Sequence, residues 1–172
     1  MGRAKKQLEK KKKKKEASAA QTKSGSATVA RNKKAGFDFH LGKDILGGLV
    51  LEGSEVKSLR LGNVQLQGAF AKIISGEVWL MNCKISQYEF ANRFNHDPDR
   101  PKKVLLNRYE IERLELEMQK SNQTLVASKV FFKANKAKVL LHLAEGKTRG
   151  DKRQTLKRKQ QEMDIQRAIK DY

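Results

Sequence analysis

The sequence predicts a mainly β protein with helices: a small antiparallel β-barrel of about six strands, with one internal helix and with disordered basic tails at both ends. Two observations predict this class. Short apolar segments separated by turn residues fill residues 28–146, as expected for a small barrel. Most of the excess positive charge lies towards the two ends: residues 1–34 hold 13 Lys/Arg against two Glu, and residues 147–172 hold nine against four Asp/Glu.

Residues 1–27 form a lysine-rich leader for which the sequence predicts disorder. Six consecutive lysines occupy positions 10–15, and mostly small or polar residues follow them. Like charges repel one another and almost no apolar surface is available for burial. The leader is predicted either to attract a polyanion or to be only a solvated tail.

Strands and hairpins are predicted from apolar segments and the turn residues between them. The segments "ILGGLVLEG" and "SEVKSLRLG" each predict a strand, with Gly53 between them. Ser75-Gly76 predicts a hairpin that joins "VQLQGAFAKII" to "EVWLMNCKIS", and Ala134-Asn135 predicts a second hairpin further along the chain. Together these segments give about six strands.

A loop and a helix are predicted between the two hairpins. Residues 89–103 are polar and contain both prolines, which is typical of an ordered loop. The following segment predicts the internal helix, because Ile111, Leu114 and Met118 fall on one helical face. Strands, one helix and further strands favour an OB-fold-type barrel, a fold that binds oligonucleotides.

Catalytic and metal-binding motifs are absent from the sequence. It contains no GxxxxGK[ST], CxxC, HExxH or GxSxG motif, and His40, His96 and His142 lack the spacing of metal ligands. His96 and Asp97 stand in "NHDPD", a composition typical of turns. Cys83 has apolar neighbours, which predicts a small core residue. We therefore expect no enzyme active site, metal or cofactor.

The charge of the chain favours a polyanionic partner. The net charge is +19 and the sequence pI is about 10.1, and basic arms release counterions when they bind phosphates. Nucleic acid is the first candidate. An anionic membrane surface is the second, and it is disfavoured because neither arm has a wide apolar face. The sequence has no apolar run of transmembrane length and no secretory signal, so we expect a protein of the reducing cytoplasm.

Two segments carry residues suited to RNA. As a strand, "SEVKSLRLG" places Glu55 and Lys57 on one face and Arg60 on the other; the cations suit phosphates, and Glu55 suits orienting a base or a basic side chain. The loop mixes aromatic, cationic and amide side chains, as readers of single-stranded RNA do; a polar cap on the barrel is the alternative. The loop candidates and their neighbours are Arg93, Phe94, Arg100, Lys102, Lys103 and Asn107, the last also suited to the helix N-cap.

The last segment, residues 147–172, is helix-prone but has no single apolar face. Leu156 and Met163 lie on one side, and Ile165 and Ile169 lie on roughly the opposite side. A helix without a face to bury is marginal alone in water. We therefore expect disorder in the free protein and helix formation on a partner.

Five segments together resemble one known family. They are "SATVARNKKAGFDF", "GLVLEGSEVKSLRLG", "NRFNHDPDRPKKVLLN", "KVFFKANKAKVLLHLAEGK" and "DKRQTLKRK". In this order they resemble the small protein B (SmpB) family, the partner of transfer-messenger RNA (tmRNA) in bacterial ribosome rescue. The resemblance implies an OB-type barrel that binds the tRNA-like domain of tmRNA and has no catalysis of its own. It also implies a monomer that enters stalled ribosomes with alanyl-tmRNA and an elongation factor, its tail becoming helical in the empty mRNA channel.

The resemblance also implies which residues act. It places tmRNA binding on Asn32, Leu105 and Asn107, and we expect Lys33, Lys34 and the basic candidates named above to take part in the same binding. It places the decoding-centre motif of the small ribosomal subunit on Asp151, Lys152 and Arg153, with Gly146 and Lys147 at the start of the tail. We expect Lys157 and Arg158 to face phosphates in the mRNA channel.

Two positions depart from the family pattern. Leu46 stands where many members carry an acidic residue, for which Asp44 or Glu55 would substitute. Gly150 stands where some members carry an aromatic residue or histidine that stacks on a ribosomal base, so that stack is absent or is supplied by Arg149.

Two functions from different classes follow. The first is a tmRNA-binding adaptor for ribosome rescue, and the second is a structural ribosome-associated protein whose arms thread ribosomal RNA. A hydrolase or nuclease is disfavoured because no nucleophile or metal site is visible. The tail discriminates between the first two, since an adaptor needs it after RNA binding and a structural protein needs it only for affinity.

Overall fold

A computed structural model describes residues 27–120 and 123–170 of the 172-residue chain. The predicted leader, with its lysine run at positions 10–15, lies outside the described residues except for Ala27, which begins the first strand. None of the described helices combines the length and apolarity that a membrane crossing requires.

Strands and helices alternate along the described chain. The strands β1 to β9 cover Ala27–Arg31, Phe39–Leu49, Val64–Gln65, Phe70–Ile74, Glu77–Met81, Lys84–Ile85, Lys102–Leu105, Thr124–Lys133 and Lys136–Gly146. The helices α1 to α4 cover Ala35–Asp38, Gly53–Arg60, Arg108–Lys120 and Arg149–Lys170, and a 3-10 segment covers Glu89–Phe94.

Six strands close into an antiparallel ring. Its order is β8-β4-β5-β7-β2-β9, and pairing of β9 with β8 closes it. Strand β1 pairs with the second half of β8, and β3 and β6 form a separate two-stranded sheet. A closed ring has no free edge within it that could pair with another chain. The prediction of about six strands in an antiparallel arrangement is confirmed.

Both predicted hairpin turns are confirmed. Ser75 and Gly76 between β4 and β5 have φ values of 52° and 73°, and Ala134 and Asn135 between β8 and β9 have 48° and 62°. Two consecutive residues with positive φ give the turn whose twist matches the flanking strands. Local turn chemistry therefore determines these two strand pairings.

The predicted internal helix is α3, and the core forms around it and the ring. Ile111 and Leu114 are buried in the core, and Met118 packs against them, as the spacing predicts. Cys83 is buried in the same cluster, and burial raises the pKa of its thiol to about 11. The prediction of a small core residue at this position is confirmed.

The segment predicted as a second strand, "SEVKSLRLG", is helix α2 instead. Glu52 stands at the N-cap, and its backbone N–H donates to Glu55 Oε2 at 2.8 Å, which is half of a capping box. The side chains of Glu55, Ser58 and Leu59 are buried. Their spacing is helical, so the helix buries one face that a strand would have divided between two.

The C-terminal segment also differs from expectation, because Arg149–Lys170 is a helix in the protein alone. Thr148 and Asp151 cap its start reciprocally: the Thr148 N–H donates to Asp151 Oδ2 at 3.0 Å, and the Asp151 N–H donates to Thr148 Oγ1 at 3.3 Å. Side chains described from Leu156 to Ile169 are exposed. The segment has no buried apolar face, as predicted, but the expected disorder of the segment is wrong. The expectation of one helix in the whole protein is also wrong, because the described residues form four α-helices.

Candidate nucleic-acid interface

Most of the predicted site residues fall on three surfaces. The first, the β7 end, comprises Leu105, Asn107 and the neighbouring part of β2. The second, the α2–loop surface, comprises α2 and residues 86–101. The third, the α1–α4 junction, is where the C-terminal helix meets the ring.

The β7 end brings together the residues around Asn107. A cavity of about 610 Å³ is lined there by Asp44, Leu46, Asn107 and Tyr109, among others. Leu105 is exposed beside it. Asp44 is exposed, and its Oδ1 lies 2.9 Å from His142 Nδ1. Of the two carboxylates considered as substitutes for the acidic residue absent at Leu46, only Asp44 lies on this surface.

Asn107 presents its side chain outward. Its backbone N–H donates to Glu110 Oε2 at 3.0 Å, and its carbonyl accepts from the Ile111 N–H at 3.1 Å, so it occupies the N-cap position of α3. The residue is exposed. No residue of the described chain bonds its side-chain amide, so that amide has both donor and acceptor capacity left for a ligand.

Asn32 has a different part in the structure. Its Oδ1 accepts from the N–H groups of Lys34 and Ala35, both at 3.2 Å, and its Nδ2 donates to the Ala127 carbonyl at 3.2 Å. Its amide therefore fixes the turn between β1 and α1. Lys33 and Lys34 are exposed on that turn, so Asn32 positions these two cations.

Two predicted RNA contacts are buried, one in α2 and the other at the start of β7 beside the α2–loop surface. Glu55 and Lys102 have side chains 0% exposed. Arg100 Nη2 donates to Glu55 Oε2 at 2.6 Å, and Lys102 Nζ donates to the carbonyls of Cys83 and Pro98 at 2.6 and 2.9 Å. Desolvation by burial lowers the pKa of Lys102. The prediction that Glu55 and Lys102 contact RNA directly is wrong for this conformation, because both hold the loop against α2.

The remaining predicted cations on this side differ in exposure. Lys57 and Arg60 lie one turn apart on the exposed face of α2, and Arg93 is exposed in the 3-10 segment. Lys103 is half-buried and forms an ion pair with Glu77 on the neighbouring strand. The exposed three remain suited to phosphate, whereas the charge of Lys103 is offset by its partner.

At the α1–α4 junction, the segment predicted to contact the decoding centre is docked on helix α1. The Lys147 N–H donates to the Asp38 carbonyl at 2.9 Å, and Lys147 Nζ donates to the Gly36 carbonyl at 2.8 Å. Lys152 Nζ donates to Asp38 Oδ1 at 2.9 Å, and lies 5.9 Å from the ring centroid of Phe37. Gly146 ends β9 directly before these contacts.

Asp151 is bonded at the start of α4, whereas cations further along the helix are exposed. Thr148 Oγ1 donates to Asp151 Oδ2 at 2.7 Å, and this bond is the main cause of the lowered pKa of Asp151. Arg153, Lys157 and Arg158 are exposed along α4, where Arg158 Nε lies 3.5 Å from Glu162 Oε1. Only part of the predicted motif is therefore presented to solvent.

Gly150 is not imposed by packing. A Cβ built at this position meets only Thr148 Oγ1, at 3.7 Å, which is ordinary van der Waals contact. A Cβ at position 150 is compatible with the described structure, and Gly150 leaves this place on the helix without a side chain.

His96 has a structural role, and no metal-ligand cluster is found in residues 27–120 and 123–170. His96 Nδ1 lies 2.9 Å from Ser54 Oγ, and its Nε2 lies 3.0 Å from the Ile85 carbonyl oxygen. Sequence reasoning missed Asp38 as the partner of Lys152, because 114 positions separate them in the chain. It also missed Phe90, whose only signal was an aromatic residue within a polar loop.

The closed ring of antiparallel strands, the exposed cations and the basic helix make this a small β-sheet protein with surfaces suited to RNA. The sequence model of the family described as "SmpB protein" matches residues 29–171. Two similar proteins are called SsrA-binding protein. The one from Streptococcus pyogenes serotype M3 is 46% identical over 144 residues, 84% of this chain and 93% of the relative. The one from Ligilactobacillus salivarius is 44% identical over 153 residues, 89% and 99%.

A solved structure gives the same result. One chain of the structure described as "tmRNA-SmpB: a journey to the center of the bacterial ribosome" aligns with a TM-score of 0.60 and 38% identity, over 74% of this chain and 93% of that chain. The chain belongs to the SmpB family.

Proposed function

We propose that the protein is an RNA-binding adaptor that binds the tRNA-like domain of tmRNA and delivers it to stalled ribosomes, where α4 enters the empty mRNA channel. Family membership makes it a non-enzymatic RNA-binding protein acting in ribosome rescue. One observation supports separate contacts with tmRNA and with the ribosome. The exposed Asn107 amide, which no described residue bonds, lies at the β7 end, whereas the exposed basic helix α4 begins at the α1–α4 junction.

The proposal divides the chain into three parts. Residues 28–146 form an OB-type RNA-binding barrel, an interpretation supported by the closed six-strand ring and by α3 packing on its core. Residues 1–27 are a basic leader, and residues 147–172 are the tail that the ribosome reads.

The proposed partners follow from this division. The β7 end and the exposed cations of α2 bind tmRNA, and Arg153, Lys157 and Arg158 face phosphates of the small subunit around the decoding centre and mRNA channel. The protein acts as a monomer, together with alanyl-tmRNA and the elongation factor that delivers it. Its place of action is the bacterial cytoplasm, which is supported by the bacterial sources of its relatives.

Replacing Asn107 by Ala is expected to weaken binding of the tRNA-like domain by about 1–2 kcal/mol, the worth of a direct hydrogen bond. Binding titrations measure the affinity and thermal unfolding measures the midpoint. Asn63→Ala is the matched control, because Asn63 is also exposed but lies after α2. A fall in the midpoint that accounts for the weaker binding would show that Asn107 serves only as a helix cap.

Replacing the six lysines at positions 10–15 by neutral residues is expected to weaken binding of many RNAs alike. For each phosphate that the leader no longer neutralises, the slope of log affinity against log salt should fall by roughly 0.7–0.9. Titrations at several salt concentrations measure that slope. An unchanged slope would indicate that the leader is an inert tail.

The structural ribosome-associated protein remains the alternative. The exposed basic face of α4 favours it, because such arms also bind ribosomal RNA non-specifically. The two functions differ in what removal of α4 does to tmRNA binding and to tagging.

A further inference from the structure

Two phenylalanines on the α2–loop surface are unusually exposed. Phe90 and Phe94 lie in the 3-10 segment and are 80% and 78% exposed, the largest fractions among the large apolar side chains of the described residues. Exposed aromatic rings lose the burial that such side chains ordinarily contribute to folding. Their exposure therefore needs an explanation outside the folded chain.

The loop that carries these rings is firmly anchored. Asn95 Oδ1 accepts from the Tyr88 N–H at 3.1 Å, and Asn95 Nδ2 donates to the Tyr88 carbonyl at 2.9 Å, which closes the loop at its base. His96 is buried beside Ser54 of α2. Both rings are thus held outward by a fixed base.

The backbone between the two rings is strained. Asn92 has φ of 46° and ψ of −133°, a combination that costs a residue with a side chain free energy. Such conformations persist where the surrounding structure enforces them. The loop that carries Phe90 and Phe94 holds this conformation at that cost.

Cations accompany the aromatic rings of this loop. Lys57 Nζ lies 5.5 Å from the ring centroid of Tyr88, and the Tyr88 and Phe90 rings meet edge to face with centroids 5.5 Å apart. The Arg93 guanidinium carbon lies 5.0 Å from the ring centroid of Phe94. Glu89 is the acidic residue among them. Rings with flanking cations match an unpaired nucleotide, whose base stacks while its phosphate meets the cation.

We propose that residues 88–94 form a base-stacking surface that receives an unpaired RNA nucleotide, with Phe94 and Phe90 as the rings and Arg93 and Lys57 at the phosphate. The surface is separate from the β7 end, because the loop precedes the first residue of β7 and Asn107 follows its last. The inference rests on the proposed RNA-binding function and assigns it a second contact. An apolar protein partner fits less well, because cations flank these rings.

The test uses full-length protein and two binding partners that contain RNA. They are a transcript of the tRNA-like domain of tmRNA and purified small ribosomal subunits. Phe94→Ala is expected to weaken binding to one of them by roughly 5- to 150-fold, as loss of one stacked base does. Phe94→Leu should be as weak as Phe94→Ala, whereas Phe94→Trp should bind at least as well as the wild type. Leu61→Ala is the control, because Leu61 is also largely exposed but has no ring.

Trp fluorescence gives a second, direct readout. The wild-type chain has one tryptophan, Trp79, so quenching in Phe94→Trp that exceeds quenching in the wild type reports stacking on residue 94. We expect such quenching with the RNA whose affinity Phe94→Ala reduces. No extra quenching with either RNA would overturn the proposal, as would a Phe94→Leu variant that binds as well as the wild type.

The outcomes separate this inference from the proposed function. If Asn107→Ala weakens binding of the tRNA-like domain while Phe94→Ala alters neither RNA, the stacking surface is wrong and the adaptor function stands. If neither variant changes binding, the stacking surface and the assigned Asn107 contact are both wrong. Loss confined to small subunits supports the stacking surface and assigns its base to ribosomal RNA.

Discussion

Deletion of residues 147–172 is expected to leave binding of the tRNA-like domain within about twofold of wild type, as for independent distant sites, while abolishing peptide tagging on stalled ribosomes. The described polar contacts between this segment and the ring lie around α1 and the start of β2. Asp44 and Leu46, the residues of β2 that line the β7 end, lie four and six positions after His40, so they are roughly 13–20 Å from these contacts. Equilibrium binding and an in vitro tagging assay measure the two effects.

A matched full-length variant separates the charge of the helix from its presence. Replacing Lys157 and Arg158 by Gln keeps the helix and removes two exposed cations. We expect weakened tagging with unchanged binding of the tRNA-like domain. If the truncation removed RNA binding and tagging together, the separation between the β7 end and α4 would be wrong.

Replacing Glu55 by Ala is expected to lower the free energy of unfolding by about 3–5 kcal/mol, because it leaves Arg100 and Lys102 without their buried carboxylate. The Glu55 carboxylate is 0% exposed, with Arg100 Nη2 at 2.6 Å and Lys102 Nζ at 3.8 Å. An uncompensated buried charge costs more than the pair contributes. Urea unfolding followed by circular dichroism measures the change.

The control for this variant is Glu77→Ala. Glu77 also pairs with a lysine of β7, Lys103, but both side chains are partly exposed to solvent, so its loss should cost only about 0–1 kcal/mol. Equal destabilisation by the two variants would contradict the account of the buried cluster. Intact stability with weakened RNA binding in Glu55→Ala would restore direct contact between Glu55 and RNA.

The parts of the fold that could be predicted from sequence depend on neighbouring residues. Ser75-Gly76 and Ala134-Asn135 adopt positive φ as such pairs do, and they determine the two hairpins. The helical spacing of Ile111, Leu114 and Met118 predicts the buried face of α3. These signals lie within a few positions of one another, so no tertiary information is needed to interpret them.

Helix α2 could not be predicted by the same means. Eight residues are too few to separate a period of two from one of 3.6, and its capping box begins with Glu52 rather than with the more usual Ser or Thr. The α4 helix is held by Asp38, which is remote in sequence. Both depend on contacts that appear only when distant segments meet.

The candidate site also contains residues that the sequence identified correctly and residues whose burial it could not predict. Residue type identified Asn107, Lys57 and Arg60 as suited to RNA, and the structure exposes all three. Residue type also favoured Glu55 and Lys102, which the structure buries against each other. Whether a charge faces solvent or a buried partner depends on the tertiary fold, and no pattern within "SEVKSLRLG" or the loop contains that information.

The most direct test of the adaptor function is to sequence the RNA that copurifies with the full-length protein from bacterial extract. We predict that tmRNA is enriched above every tRNA and ribosomal RNA, and that Asn107→Ala reduces this enrichment while Asn63→Ala leaves it unchanged. Recovery of ribosomal RNAs in the proportions of the intact ribosome, with no enrichment of tmRNA and no effect of Asn107→Ala, would contradict it and favour a structural ribosome-associated protein.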